Sequence, residues 1–143
     1  MNTEQLNKQL IHAATNGNLK IIKYLVEQGA DIHADNDYAL RLASSYGKLE
    51  IIKYLVEKGS NIYMNNNSAL RRASQSNQLE IIQYFLFDCE MEINQKTKNW
   101  LIEKNKKEVL QLIEKRDDII KNYNDLKRLK NNSLDNIIKK VKI

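Results

Sequence analysis

The sequence predicts an all-α solenoid of stacked helix-turn-helix units with short loops and a helical C-terminal cap, and three features carry that prediction. The phrase Leu19-Lys20-Ile21-Ile22-Lys23-Tyr24 returns as Leu49-Glu50-Ile51-Ile52-Lys53-Tyr54 and as Leu79-Glu80-Ile81-Ile82-Gln83-Tyr84, each copy 30 residues after the last. The chain's 4 glycines fall on two positions of that period, Gly17 with Gly47 and Gly29 with Gly59. Each pair follows a segment of helical apolar spacing, where a residue tolerant of positive φ ends a helix. A unit this short cannot bury its own apolar face, so it must stack on copies of itself, and such stacks usually display surface rather than perform chemistry.

The first repeat, residues 1–30, opens on a polar helix with Gln5, Asn7, Lys8 and Gln9, as a terminal repeat facing water should. Leu10, His12, Ala13 and Ala14 continue that first helix. In the second repeat, residues 31–60, Ala39, Leu40, Leu42 and Ala43 predict a first helix of about eight residues with Asp37 as its N-cap. Gly47 makes the turn. Leu49, Ile51, Ile52, Leu55 and Val56 then line the inner face of a second helix, with Lys53, Glu57 and Lys58 on the wet face. Leu25, Leu55 and Leu86 are expected in the core. Tyr24, Tyr54 and Tyr84 recur at one position and are expected to form a packing ladder. After Gly59, the polar run Ser60 to Asn67 around Ile62 predicts a projecting loop.

These residues resemble the ankyrin repeat. The likeness lies in Ala39-Leu40-Arg41-Leu42-Ala43, Gly47-Lys48-Leu49-Glu50-Ile51-Ile52-Lys53-Tyr54-Leu55-Val56 and Gly59-Ser60-Asn61-Ile62, with Gly29-Ala30-Asp31-Ile32 the closest form of the ending. It extends over residues 8 to 86. The usual period is about 33 residues, so three residues are missing, and they come from the loop, where Asp35-Asn36-Asp37-Tyr38-Ala39-Leu40 replaces the family's turn and Thr-Pro-Leu-His helix start. The projecting fingers should therefore be bare turns. The 30-residue form, with its Asn, Ile, Lys and Tyr usage, is similar to the ankyrin repeat proteins of giant DNA viruses of the mimivirus type.

The third repeat, residues 61–90, keeps Leu70, Ala73 and Leu79 but lacks its last glycine, with Cys89 in the capping place. Residues 91–117 read as a degenerate fourth repeat: Trp100 lies 30 residues after Leu70, and Glu108-Val109-Leu110-Gln111-Leu112-Ile113-Glu114-Lys115 echoes the second helix of the second repeat. The array is thus assigned to residues 1–117 and a basic helical extension to residues 118–143. In that extension Ile119, Ile120, Tyr123, Leu126 and Leu129 predict an amphipathic helix, Asn131-Asn132-Ser133 a break, and Leu134, Ile137, Ile138 and Val141 a last short helix. These stripes need a partner, either the last repeat or another chain.

Residues 1–95 hold 9 Lys and Arg against 11 Asp and Glu, whereas residues 96–143 hold 14 against 7. Lys121, Lys127, Arg128, Lys130, Lys139, Lys140 and Lys142 offer an alternative function, salt-sensitive contact with nucleic-acid phosphates. Asp117, Asp118, Asp125 and Asp135 interrupt the run and favour a solvated face. A further alternative is an adaptor whose tail recruits a second partner.

No metal, cofactor or catalytic residue is expected. His12 and His33 fall on different parts of the repeat, Cys89 has no helix-spaced base to activate it, and Ser44, Ser45 and Ser74 lack the glycine elbow of a nucleophile. What the resemblance implies instead is a protein partner along the concave side, touching the loop tips and the exposed ends of the first helices. Those positions are Asp35, Asn36, Asp37, Tyr38, Ser45, Tyr46, Asn65, Asn66, Asn67, Gln75 and Ser76, with Thr15 and Asn16 in the first repeat. Tyr38 and Tyr46 stand out because tyrosine brings large contact area at low entropic cost. Tyr38 packed against the neighbouring repeat is the competing reading. One cysteine, a polar start and no apolar run of about 18 residues suggest a cytoplasmic protein, in the host cytoplasm if viral, rather than a secreted or membrane one; a monomer is expected rather than an oligomer.

Overall fold

The computed structural model describes residues 1–141. Met1–Leu110 form one compact unit and Gln111–Ile143 a second. The first unit contains α1 (Thr3–Asn16), α2 (Leu19–Glu27), α3 (Ala34–Ser45), α4 (Leu49–Glu57), α5 (Met64–Gln75), α6 (Leu79–Gln83) and α7 (Gln95–Glu103), and α8 (Lys107–Val141) begins in it. Helices α1, α3, α5 and α7 pack in sequence as one row, α2 packs on α4, and each of the first three repeats closes as a hairpin, α1 with α2, α3 with α4 and α5 with α6. Among the described residues every regular element is helical.

The interior follows the repeat. Leu10, Leu40 and Leu70, one per first helix, are fully buried, as are Ile22, Ile52 and Ile82 in the second helices. Leu25, Leu55 and Leu86 are core residues, as the sequence predicts, with Phe85 beside Leu86. The tyrosine column is not a buried ladder. Tyr24 is 55% exposed, while Tyr54 lies between the ammonium groups of Lys23 and Lys58, each 5.7 Å from its ring centroid. The Tyr54 ring thus rests on the second-helix surface and holds cations rather than filling the core.

At the N-terminus, Asn2 accepts the Gln5 N–H at 2.9 Å and donates its own N–H to Gln5 Oε1 at 3.1 Å. This reciprocal cap satisfies two of the orphan donors of α1. Gly17 and Gly47 carry positive φ in the turns between paired helices, and Asn77 and Asn105 take the left-handed conformation in the third and fourth turns. Gly47 has a second constraint, since a Cβ there would collide with the Gln78 side chain. Gln78 donates to the Ser45 carbonyl at 3.3 Å, so the close approach also ties two repeats.

The sequence assigns Cys89 to the capping place, but Glu90 takes the positive φ, +49°, and Cys89 is right-handed. The cause is a π-helical turn, Tyr84–Asp88, that follows α6 and adds one residue to the helix. Ala30 and Ser60 donate back to Leu25 and Leu55, five residues earlier, whereas Met91 donates to Phe85, six earlier. The register beyond is shifted by one. Leu101, 31 residues after Leu70, is therefore the fully buried core leucine of α7, and Trp100 is half-buried rather than its equivalent.

Ala30, Ser60 and Met91 occupy one buried site in successive repeats, and Ser60 Oγ has no hydrogen-bond partner there among the described residues. A buried unsatisfied hydroxyl costs about 1–3 kcal/mol. Ser60→Ala, which copies the first repeat, is expected to raise stability by about 1 kcal/mol. An unchanged or lower urea midpoint would show that the hydroxyl is satisfied.

In the second unit, α8 runs through Asn131, Asn132 and Ser133 without the break that the sequence suggests. Their helix propensity is lower than alanine's by only about 0.5 kcal/mol each, and between Lys107 and Val141 there is no glycine or proline to stop the helix. Every residue from 118 to 141 is exposed. Lys142 of the basic run lies outside the described residues.

Candidate functional site

The projecting part of each loop between repeats is a turn of three residues. Asp35, Asn36 and Asp37 have φ of 53°, 59° and 55°, and Asn65, Asn66 and Asn67 have 52°, 55° and 56°, so each group forms a left-handed turn before the right-handed helix begins. Asparagine and aspartate tolerate this region better than other residues with a Cβ. That is the physical role of the Asp-Asn-Asp and Asn-Asn-Asn triplets. The short projecting turn matches the expectation from the missing residues.

An arginine from the following helix locks each turn. Arg41 Nη2 donates to the Asp35 carbonyl at 2.8 Å and Nε to that of Asn36 at 3.1 Å. Arg71 repeats the arrangement one period on, at 2.9 Å to Asn65 and 3.1 Å to Asn66. The planar guanidinium fits two adjacent carbonyls that the left-handed turn leaves without helical partners. Burial, and then the nearby charge of Arg72, lower the Arg41 pKa from its ordinary value, while Tyr38, Asp37 and Asp35 oppose that shift. Sequence reasoning missed both arginines, although their spacing of 30 residues was visible.

Tyr38 is half-buried between Arg41 and Arg72, with guanidinium carbons 4.8 and 5.6 Å from its ring centroid. It contacts the neighbouring repeat, as the competing reading holds, and keeps part of its ring at the surface. Tyr46 is 54% exposed. Asp35, Asn36, Asn65, Asn66, Gln75 and Ser76 are exposed, Ser45 and Thr15 half-buried, and Asn16 exposed with its amide 3.0 Å from His12 Nε2. Beside the second turn, Asn66, Arg71, Lys96, Thr97, Asn99, Trp100 and Glu103 line an open groove of about 310 Å³, where Arg71 lies 5.6 Å from the Trp100 ring.

Asp37 and Asn67 do not belong to this surface. They are 0% and 1% exposed. Asp37 Oδ1 accepts the Asn61 backbone N–H of the next repeat at 3.0 Å, so it does not act as the N-cap of its own helix. Asn7, one period earlier, accepts the Asp31 N–H at 2.7 Å. Asn67, one period later, donates to the Glu92 carbonyl at 3.2 Å, and its Oδ1 lies 2.9 Å from the Thr97 hydroxyl. Asn7, Asp37 and Asn67 are thus polar pegs between repeats, one per junction. His33 Nδ1 stands 3.0 Å from the Asp37 carboxylate, and Asp37 Oδ2 has no partner among the described residues.

Burial pushes the Cys89 thiol up from its ordinary value; a hydrogen bond with Tyr84 opposes this, and Asp88 adds to it. The thiol is therefore held away from the thiolate form. Among the described residues, no group of three His, Cys, Asp or Glu is arranged to hold a metal ion, and no helix is long and apolar enough to cross a membrane.

Residues 8–97 match the family model described as ankyrin repeats (3 copies). A stretch of 37 residues is 51% identical to ankyrin repeat protein R880 of Acanthamoeba polyphaga mimivirus. The matched stretch is 26% of this chain and 14% of the viral protein, so the likeness reaches only a small part of that relative's length.

Proposed function

Because the chain belongs to the ankyrin-repeat family, whose repeats are in general protein–protein interaction modules and not catalysts, we propose that it binds a protein partner through its turn tips and the exposed ends of its first helices. The contact surface comprises Asp35, Asn36, Asn65 and Asn66 at the tips, Tyr38 and Tyr46 beside the first pair, and Ser45, Gln75 and Ser76 at the helix ends. The observation that supports it is the arginine lock. Arg41 and Arg71 fix the two left-handed tips in the same conformation, with Asp35, Asn36, Asn65 and Asn66 exposed. A surface already ordered before contact loses little conformational entropy on binding. The partner meets short polar edges and two tyrosines, a composition suited to hydrogen bonding around aromatic anchors. The setting is the cytoplasm, that of the host if the chain is viral.

Affinity purification of the full-length tagged chain from cells that express it, with and without nuclease, tests this reading. A discrete protein should remain after nuclease and fall at least about tenfold, or about 1.4 kcal/mol, when Tyr38 and Tyr46 become alanine. Circular dichroism of that variant must match the parent. Recovery of nucleic acid alone, lost on deleting residues 118–143, would assign binding to the basic tail.

A further inference from the structure

The second unit carries a feature that the array does not use. In α8 every side chain from residue 118 to 141 is exposed, including seven isoleucine and leucine residues from Ile119 to Ile138. An apolar stripe along a helix of about 37 Å, at 1.5 Å per residue for residues 117–141, is stable in water only when something covers it.

About the midpoint between Arg128 and Leu129 the two ends of the segment mirror each other at five pairs, while Leu126 falls opposite Asn131 and Leu129 opposite Arg128. Tyr123 mirrors Leu134, Ile120 mirrors Ile137, and Ile119 mirrors Ile138; beyond them Asp118 mirrors Lys139 and Asp117 mirrors Lys140. A two-fold axis through that midpoint brings each residue level with its mirror residue on another copy, since a closed two-fold contact is self-complementary. We propose that residues 117–141 pair antiparallel with the same segment of a second copy of this chain.

The heptad spacing supports the same register. Ile120, Lys127, Leu134 and Val141 follow at seven-residue intervals, as do Tyr123, Lys130 and Ile137 three residues later. These are the two seam positions of a coiled coil. The mirror maps one series onto the other, as reversal of one helix requires. Charge selects the direction. Antiparallel pairing puts the acidic end, Asp118 beside the Arg116–Asp117 ion pair, level with the basic end, Lys139 and Lys140, whereas parallel pairing sets lysine beside lysine and aspartate beside aspartate. Lys127 and Lys130 meet at the centre, where their stems cover apolar surface and their ammonium groups reach water. A polar layer of this kind fixes register at some cost in affinity. The sequence suggests a monomer and leaves the apolar stripes to cover either the last repeat or another chain; the proposed dimer takes the second course, presents two arrays to the partner and gains avidity from both.

The test uses full-length chains with Cys89→Ser, so that the only thiols are those introduced. An I120C chain mixed with an I137C chain should form a covalent heterodimer under mild oxidation. Each chain alone should not, because the two copies of position 120 lie about 26 Å apart in the antiparallel pair. Unlabelled parent protein should sediment at twice 16.7 kDa, and I120D with I137D should return it to a single chain that keeps the urea midpoint of the array and loses only helical signal from the uncovered segment. Self-linking of I120C alone would overturn the proposal in favour of a parallel pair. An internal disulfide in the I120C/I137C double variant at single-chain mass would replace it with a hairpin. A single-chain mass with retention on a nucleic-acid resin through residues 118–143 would give the helix to phosphate instead.

Discussion

Leu55→Ala and Ile51→Ala are each expected to destabilise the array by about 2–5 kcal/mol, while Ile21→Ala, at the position equivalent to Ile51, costs less than about 1 kcal/mol. The contrast follows from stacking. Leu55 and Ile51 are 0% and 1% exposed, but Ile21 is 46% exposed. All three sit on second helices with nearly the same sequence, so local propensity and helix packing within a hairpin are alike. What differs is the preceding repeat: α4 packs on α2, and no described repeat stands before α2. Truncation in α4 removes transfer energy and leaves a cavity that a close-packed junction cannot fill. Against a total stability of about 5–15 kcal/mol for a domain, a loss of this size in a short array removes much of its margin. Urea titrations of the three variants measure this directly. Equal costs at Ile21 and Ile51 would contradict the stacked arrangement.

Asp37→Ala is expected to cost about 1–3 kcal/mol, with Asp37→Asn costing markedly less. The carboxylate is fully buried and accepts the Asn61 N–H across the junction, so its removal leaves a backbone donor without a partner. Asparagine keeps an acceptor at that place, and Asn7 shows the substitution working one repeat earlier, on the Asp31 N–H. The variant also removes Oδ2, which has no partner among the described residues. If Asp37 were a surface contact residue, alanine would leave the urea midpoint in place and change only partner binding. A cost as large for asparagine as for alanine would mean that the charge, through His33, holds the junction and not the hydrogen bond to Asn61.

The repeat made most of the first unit legible. The three hydrophobic phrases located α2, α4 and α6, the glycine positions located the turns, and the missing three residues of each loop anticipated its shortness. The failures have local causes. The π-helical turn at Tyr84–Asp88 adds one residue without any sequence marker, so the absence of a glycine at Cys89 read as decay when it was a shift in register. Asp37 and Asn67 share the left-handed turns with their exposed neighbours, which hid that their side chains are buried; their equivalence with Asn7 was the available signal that they serve the junctions. Arg41 and Arg71 were counted only as charge, since nothing in a linear pattern shows that a left-handed turn will leave two carbonyls pointing back at the helix. In α8 the three weak helix formers Asn131, Asn132 and Ser133 were given more weight than a helix of that length allows.

The candidate surface has a different status from the fold because family membership gives the kind of site and not its occupant. Its exposed members come from two successive turns and the two helix ends beside them, held in the same conformation by equivalent arginines. That regularity distinguishes the tips from the half-exposed tyrosines of the second helices, which vary from Tyr24 to Tyr84 in what surrounds them.

The most direct measurement is hydrogen–deuterium exchange on the full-length chain with and without the protein partner that purification identifies. The account predicts slowed exchange in residues 35–46 and 65–76 on complex formation, with residues 118–141 unchanged from the free protein. Protection confined to residues 118–141, with both turns unaffected, would contradict it and move binding to α8.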